Sequence, residues 1–125
     1  IDGDVTTTNF LERELKLTEV DNKGTFGDNG IFLTVRTPET GLYATEAVMT
    51  RLLSKTGEAV EPTKIEKKED NKIFQNFSVN VDKGQELNLQ KTVSIMTSKD
   101  EGLATQGQVE KAAKESVVKT PDFKD

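Results

Sequence analysis

The sequence predicts a mainly β protein, an antiparallel β-sandwich with a short helix at its C-terminal end. Apolar and polar residues alternate with period two through several runs, and Gly, Asn, Asp and Pro punctuate those runs. After Gly102 the apolar spacing lengthens to that of a helix. About six strands are expected, and strands with one apolar face each bury more against a second sheet than alone, so the expectation is a sandwich with part of its second sheet missing.

The first strand is read from Phe10 to Val20, where Leu11, Leu15 and Leu17 share one parity with Arg13, and Glu12, Glu14, Lys16 and Thr18 take the other. Asp21-Asn22-Lys23-Gly24 and Gly27-Asp28-Asn29-Gly30 read as turns, with Phe26 between them as a local anchor. Ile31 to Arg36 is the second strand, with Ile31, Leu33 and Val35 inward. It is stopped by Thr37-Pro38-Glu39-Thr40-Gly41, because Pro38 cannot donate to a ladder.

Leu42 to Leu53 can be drawn as a helix or a strand, and its β-rich surroundings select a strand. Ser54-Lys55-Thr56-Gly57 makes a loop, and Val60 to Lys68 reads as a weak edge strand. Ile73, Gln75, Phe77, Val79 and Val81 alternate with polar neighbours, apart from Phe74; Leu87, Leu89, Val93 and Ile95 do the same. These two runs read as consecutive antiparallel strands joined at Asp82-Lys83-Gly84. Val109, Ala112, Ala113, Ser116 and Val117 then fall at helical spacing, and Thr120-Pro121 ends the helix. The expected organisation is a β-sandwich over 1–102, an amphipathic helix leading to a linker over 103–120, and a tail over 121–125.

Composition narrows the chemistry. The 125 residues include no His and no Cys, which removes the commonest general base, thiolate nucleophiles, disulfides and the commonest metal ligands. Lys plus Arg is 17 against 22 for Asp plus Glu, a net charge of -5 that repels nucleic acid. The run Lys64-Ile65-Glu66-Lys67-Lys68-Glu69-Asp70 mixes both signs and reads as a solvated turn or strand edge. No stretch approaches the roughly 20 apolar residues that cross a bilayer, so no membrane is expected as a partner. The chain opens on Ile1 rather than Met, and the expectation is a piece of a longer protein.

Paired carboxylates are the catalytic device this composition leaves open. Asp2 and Asp4 bracket Gly3, Glu12 and Glu14 share a strand face, and Asp28 lies in a Gly-rich turn. Each reads more simply as turn chemistry or a solvated strand face, and Asp2-Gly3-Asp4 lacks the rest of a calcium loop. Gly24, Gly27 and Gly30 do not match a phosphate-binding fingerprint and read as turn formers. Tyr43, Phe74 and Phe77 could stack on a sugar ring; Phe77 falls on the apolar parity and reads as core, while Phe74 on the opposite face reads as an exposed aromatic or as one packed against a second sheet or domain. No catalytic, cofactor-binding or metal-binding residue is assigned, and no cofactor is expected.

The run from Lys83 to Asp100 reads KGQELNLQKTVSIMTSKD and resembles the K-G-x-x-x-x-L-x-K-x-V-x-x-x-T-S-R-D run of the N-terminal domain of glycoside hydrolase family 65. Lys99 stands where that run has Arg. The earlier Asp2-Gly3-Asp4-Val5, Arg36-Thr37 and Thr40-Gly41, followed by Ala44, Ala47 and Met49, are similar to the family in the same order. The resemblance implies part of a galactose-mutarotase-like supersandwich and a parent enzyme akin to maltose, trehalose or kojibiose phosphorylases. Its expected partners are the parent chain's catalytic helical barrel and, in the full enzyme, an α-linked disaccharide and inorganic phosphate. A homodimer and a cytoplasmic location are further expectations. The general-acid Glu and the phosphate-binding residues belong to the barrel in that family, so the piece alone is expected to be inactive. The alternatives are a stand-alone carbohydrate- or protein-binding β-sandwich and an immunoglobulin-like interaction domain.

Overall fold

A computed structural model of the chain describes residues 1, 6–8, 14–16, 19–100 and 102–119, with the backbone alone at 6–8 and 14–16. Among these residues the elements are β1 (Thr6–Thr8), β2 (Glu14–Lys16), β3 (Glu19–Phe26), β4 (Gly30–Arg36), β5 (Tyr43–Ser54), β6 (Thr63–Glu69), β7 (Lys72–Ser78), β8 (Leu87–Thr97) and α1 (Gln106–Lys119). The main sheet is antiparallel with the order β3-β4-β5-β8, and β1-β2 and β6-β7 form two separate antiparallel pairs. The protein is thus mainly β, with antiparallel sheets in a sandwich-like arrangement and one short C-terminal helix.

The β3–β4 hairpin shows how the local sequence sets the register. Phe26 pairs with Gly30 across a three-residue tip whose first member, Gly27, has φ 58°. A Cβ at Gly30 would stand 2.5 Å from the Phe26 carbonyl oxygen and 2.7 Å from its ring, so only glycine lets the ring fold back over the turn. Phe26 then meets Phe32 with ring centroids 6.4 Å apart. At the far end, Gly41 (φ 66°) and the bonds Thr37 N to Leu42 O (2.9 Å) and Gly41 N to Thr37 O (2.7 Å) close the β4–β5 turn around Pro38.

Two apolar clusters lie on opposite faces of this sheet. On one, Phe32, Ala47 and Met49 pack with Ala113 and Val117 of α1. On the other, Ile31, Leu33 and Val48 pack with Ile73 of β7. Ile73 has no exposed surface, and burying such a side chain contributes about 1.5–3 kcal/mol. β4 is therefore apolar on both sides: Ile31 and Leu33 face the β6–β7 pair, while Phe32 and the fully buried Thr34 face the helix.

The helix begins with a capping box. Thr105 Oγ1 accepts from Gln108 N (3.2 Å), and Gln108 Oε1 accepts from Thr105 N (3.1 Å), which satisfies two donors reciprocally. Val109, Ala113 and Val117, four residues apart, form its buried seam. At its other end Arg51 Nη2 donates to the carbonyls of Val117 (3.3 Å) and Val118 (3.4 Å), placing a cation where the helix dipole is negative.

Several sequence expectations change here. Asp21-Asn22-Lys23-Gly24 is strand rather than turn: Asn22, Lys23 and Gly24 pair with Thr34, Leu33 and Phe32, and a register shift at Asp21 absorbs one residue. Gly24 serves close approach instead, since a Cβ there would meet the Phe32 ring at 3.1 Å. The expected β7–β8 hairpin is absent. Gly84 (φ 86°) and the Gln85 N to Asp82 O bond (2.9 Å) do form a turn, but β7 pairs with β6 while β8 crosses to pair with β5 over eleven residues. Nor is the apolar parity of β8 covered, because β7 packs against β3 and β4 and Ile73 is its buried residue. Leu89, Val93 and Ile95 are exposed, and so are Val79 and Val81. Of the expected Phe10–Val20 strand, 14–16 lies in β2 and 19–20 in β3; 10–13 and 17–18 lie outside the described residues, as does the 121–125 tail.

Gly30→Ala is expected to lower the unfolding free energy by about 1–3 kcal/mol, the usual cost of overpacking, measured by urea denaturation. An unchanged midpoint would mean that Phe26 does not fold over this turn.

Candidate functional site

The most organised polar cluster among the described residues joins helix to sheet. Thr45 Oγ1 donates to Thr34 Oγ1 (2.7 Å), which in turn donates to Glu110 Oε1 (2.8 Å). Both threonines have no exposed surface, and a buried hydroxyl without a partner costs about 1–3 kcal/mol. The Glu110 carboxylate also accepts from Asn22 Nδ2 (3.1 and 3.2 Å) and Gln106 Nε2 (3.1 Å). Three donors from β3, β4 and α1 therefore converge on one carboxylate, and its oxygens fasten the helix in place. Beside it, Lys114 Nζ lies 3.9 Å from the Phe32 ring centroid, a cation–π contact that covers the aromatic edge of the same seam.

Sequence reading did not find this cluster. Its signal is the pair Thr34 and Thr45 at the parity opposite to Ile31, Leu33 and Val48, together with a Glu immediately after the first buried helix residue, Val109. Reading only one apolar face per strand hid it.

Two concavities flank the sheet. One, of about 480 Å³, lies between the β3–β4 tip, β5, the loop after β5 and the end of α1, with Asn29, Met49, Arg51 and Val60 among its walls. The Arg51 donors there already serve the helix carbonyls. The other, of about 310 Å³, separates β7 from the main sheet and is lined by Glu46, Val48, Gln75, Phe77 and Lys91. Among the described residues no group of three or more Asp, Glu, His or Cys side chains converges to hold a metal, and no helix is long and apolar enough to cross a membrane.

Of the residues singled out from sequence, those described are not brought together. Asp2, Asp4 and Glu12 lie outside the described residues, and Glu14 is in β2, where only the backbone is described. Asp28 is exposed at the β3–β4 tip, its carbonyl accepting from Lys64 Nζ. Gly24 and Gly30 relieve contacts with Phe32 and Phe26, and Gly27 alone of the three takes a positive φ. Tyr43 is half-buried at the start of β5, with its carbonyl accepting from Ser98 N (2.9 Å). Phe74 is exposed (38%), while Phe77 is half-buried against the second concavity.

Residues 1–125, the whole chain, match the family described as glycosyl hydrolase family 65, N-terminal domain. The chain belongs to that family. No curated protein matches it significantly. In this family-65 domain the Lys83-to-Asp100 run is a strand with its two turns. Lys83-Gly84 lies in the turn before β8, Leu89, Lys91 and Val93 are on one face of β8, and Asp100 Oδ2 accepts from Thr97 N (2.8 Å) to close the turn after it. The run that resembles the family thus does architectural work in this family-65 domain.

Glu110→Ala is expected to cost about 1–3 kcal/mol of stability by stranding the Thr34 and Thr45 hydroxyls, with Glu110→Gln costing less because one acceptor oxygen remains. Chemical denaturation of both variants checks this; equal stability of Glu110→Ala and the natural chain would contradict it.

Proposed function

We propose that this domain is the non-catalytic supporting module of a cytoplasmic family-65 enzyme that phosphorolyses or hydrolyses an α-linked disaccharide. Its work is to carry and orient the catalytic helical barrel. The observation that carries this reading is the match of the entire chain to an N-terminal, rather than catalytic, family-65 domain. The internal chemistry agrees with it. His and Cys are absent from the chain, and the best-held carboxylate, Glu110, is committed to fastening α1.

A domain that leaves one apolar face of an eleven-residue strand exposed also fits a supporting role, since that face needs more protein to cover it. A second reading, a stand-alone carbohydrate-binding sandwich, draws on the exposed ring of Phe74, which could stack on a sugar.

The 125-residue chain is expected to release neither glucose nor glucose 1-phosphate from maltose, trehalose or kojibiose, with or without inorganic phosphate. Turnover by this chain alone would refute the supporting role. Calorimetric binding of maltose that is lost in Phe74→Ala would favour the sugar-binding reading instead.

A further inference from the structure

The tip of the β3–β4 hairpin carries the chain's one Asn-Gly step, Asn29-Gly30; every other asparagine precedes a residue with a side chain. Asparagine is a thermolabile residue, and a following glycine makes it more so, because no Cβ crowds the approach of the next main-chain nitrogen to the carboxamide carbon. The fold keeps this pair in place. A Cβ at residue 30 would stand 2.5 Å from the Phe26 carbonyl oxygen and 2.7 Å from its ring, so the turn itself holds residue 30 to glycine.

The Asn29 carboxamide is available for reaction. Among the described residues no hydrogen bond holds it, whereas Asn22 Nδ2 donates to Glu110 (3.1 and 3.2 Å). Asn29 is half-buried, between exposed Asp28 and buried Gly30. The restraint on the step comes from the main chain: Asn29 O accepts from Thr50 N at 3.3 Å, and Gly30 pairs with Phe26 on one side and Met49 on the other. These contacts lie at the free end of the hairpin, where local opening takes the least free energy.

We propose that Asn29 is a site of spontaneous deamidation to isoaspartate, and that this modification opens the hairpin tip. The Gly30 nitrogen attacks Asn29 Cγ. An N–Cγ bond forms, the Cγ–Nδ2 bond breaks, the Gly30 amide proton leaves with Nδ2 as ammonia, and a five-membered succinimide remains. Water then opens the ring, its hydroxyl going to the carbonyl carbon and its proton to the Gly30 nitrogen. Opening at Cγ gives aspartate; opening at the main-chain carbonyl carbon of residue 29 gives isoaspartate, whose chain runs through Cβ and Cγ. Isoaspartate lengthens the main chain by one carbon, about 1.5 Å, and adds a negative charge beside Asp28. Gly30 has no room for that length under the Phe26 ring, so the ring must lift. Phe26 packs against Phe32, Met49, Ala113 and Val117, and through them the change reaches the seating of the helix.

Peptide mass spectrometry of the folded 125-residue chain, held at mildly alkaline pH and body temperature in heavy-oxygen water, tests the reaction. The peptide carrying Asn29 should gain label and split into two isomers at least about tenfold faster than the one carrying Asn71, which lies in the β6–β7 turn before Lys72. Equal conversion of the two overturns the proposal, as does label entering the tip of an Asn29→Gln chain, where the ring would need six members. Melting curves test the consequence. The separated isoaspartate form should melt about 3 °C or more below the unmodified chain, and Asn29→Asp, which carries the charge without the extra carbon, should stay within about a degree of it. An isoaspartate form that melts with the unmodified chain, or an Asn29→Asp chain that melts as low as the isoaspartate form, overturns the opening of the tip.

Discussion

The seating of α1 across β4, β5 and β8 is the contact on which the rest of this domain depends. Ala47 and Ala113 have no exposed surface, and their small side chains let the helix come close to the sheet. That closeness buries Thr34 and Thr45, whose hydroxyls then need acceptors away from the surface, and Glu110 supplies one from the helix itself. The same docking brings the helix C-terminus to Arg51 of β5 and Lys114 over Phe32. With the helix on one side, β4 is apolar on both faces, and the β6–β7 pair can settle on the other through Ile73. Both apolar clusters draw on β4 and β5, and on the face of β6 and β7 the sheet is least covered at β8.

Much of this was legible from local pattern. The run from Leu42 to Leu53 is β5, the β4–β5 turn forms around Pro38, and Val109, Ala113 and Val117 are the helix seam. These succeed because a strand or helix with a covered face repeats its period in the sequence. Asp21 to Gly24 misled because turn-forming residues were read without their partner: Gly24 is small for the sake of the Phe32 ring across the ladder, and only the pairing reveals that. The crossover of β8 to β5 was hidden for a similar reason. Asp82 to Gly84 does turn the chain, but a turn fixes a change of direction and not which strand lies alongside. The Glu110 cluster joins residues from β3, β4, β5 and α1, more than seventy positions apart at its widest, and no periodicity reports such a meeting.

Function follows from the same asymmetry. In this family-65 domain the Glu110 carboxylate is engaged in fastening the helix, and the apolar side chains of Leu89, Val93 and Ile95 form a regular exposed stripe on one strand face. A stripe of that kind marks a joint, since scattered apolar residues need no explanation and aligned ones do. The domain is a half-covered scaffold whose covered half holds itself together through α1, β4, β5 and Ile73.

Native-state hydrogen exchange of the 125-residue chain tests this division most directly. Amides of β4, of β5 from Ala47 to Leu52 and of α1 around Val109 to Val117 are expected to exchange only through global unfolding, while those of β6 and β7 open at lower free energy. Exchange from α1 ahead of β6 and β7 would contradict the central role given to the helix on its sheet.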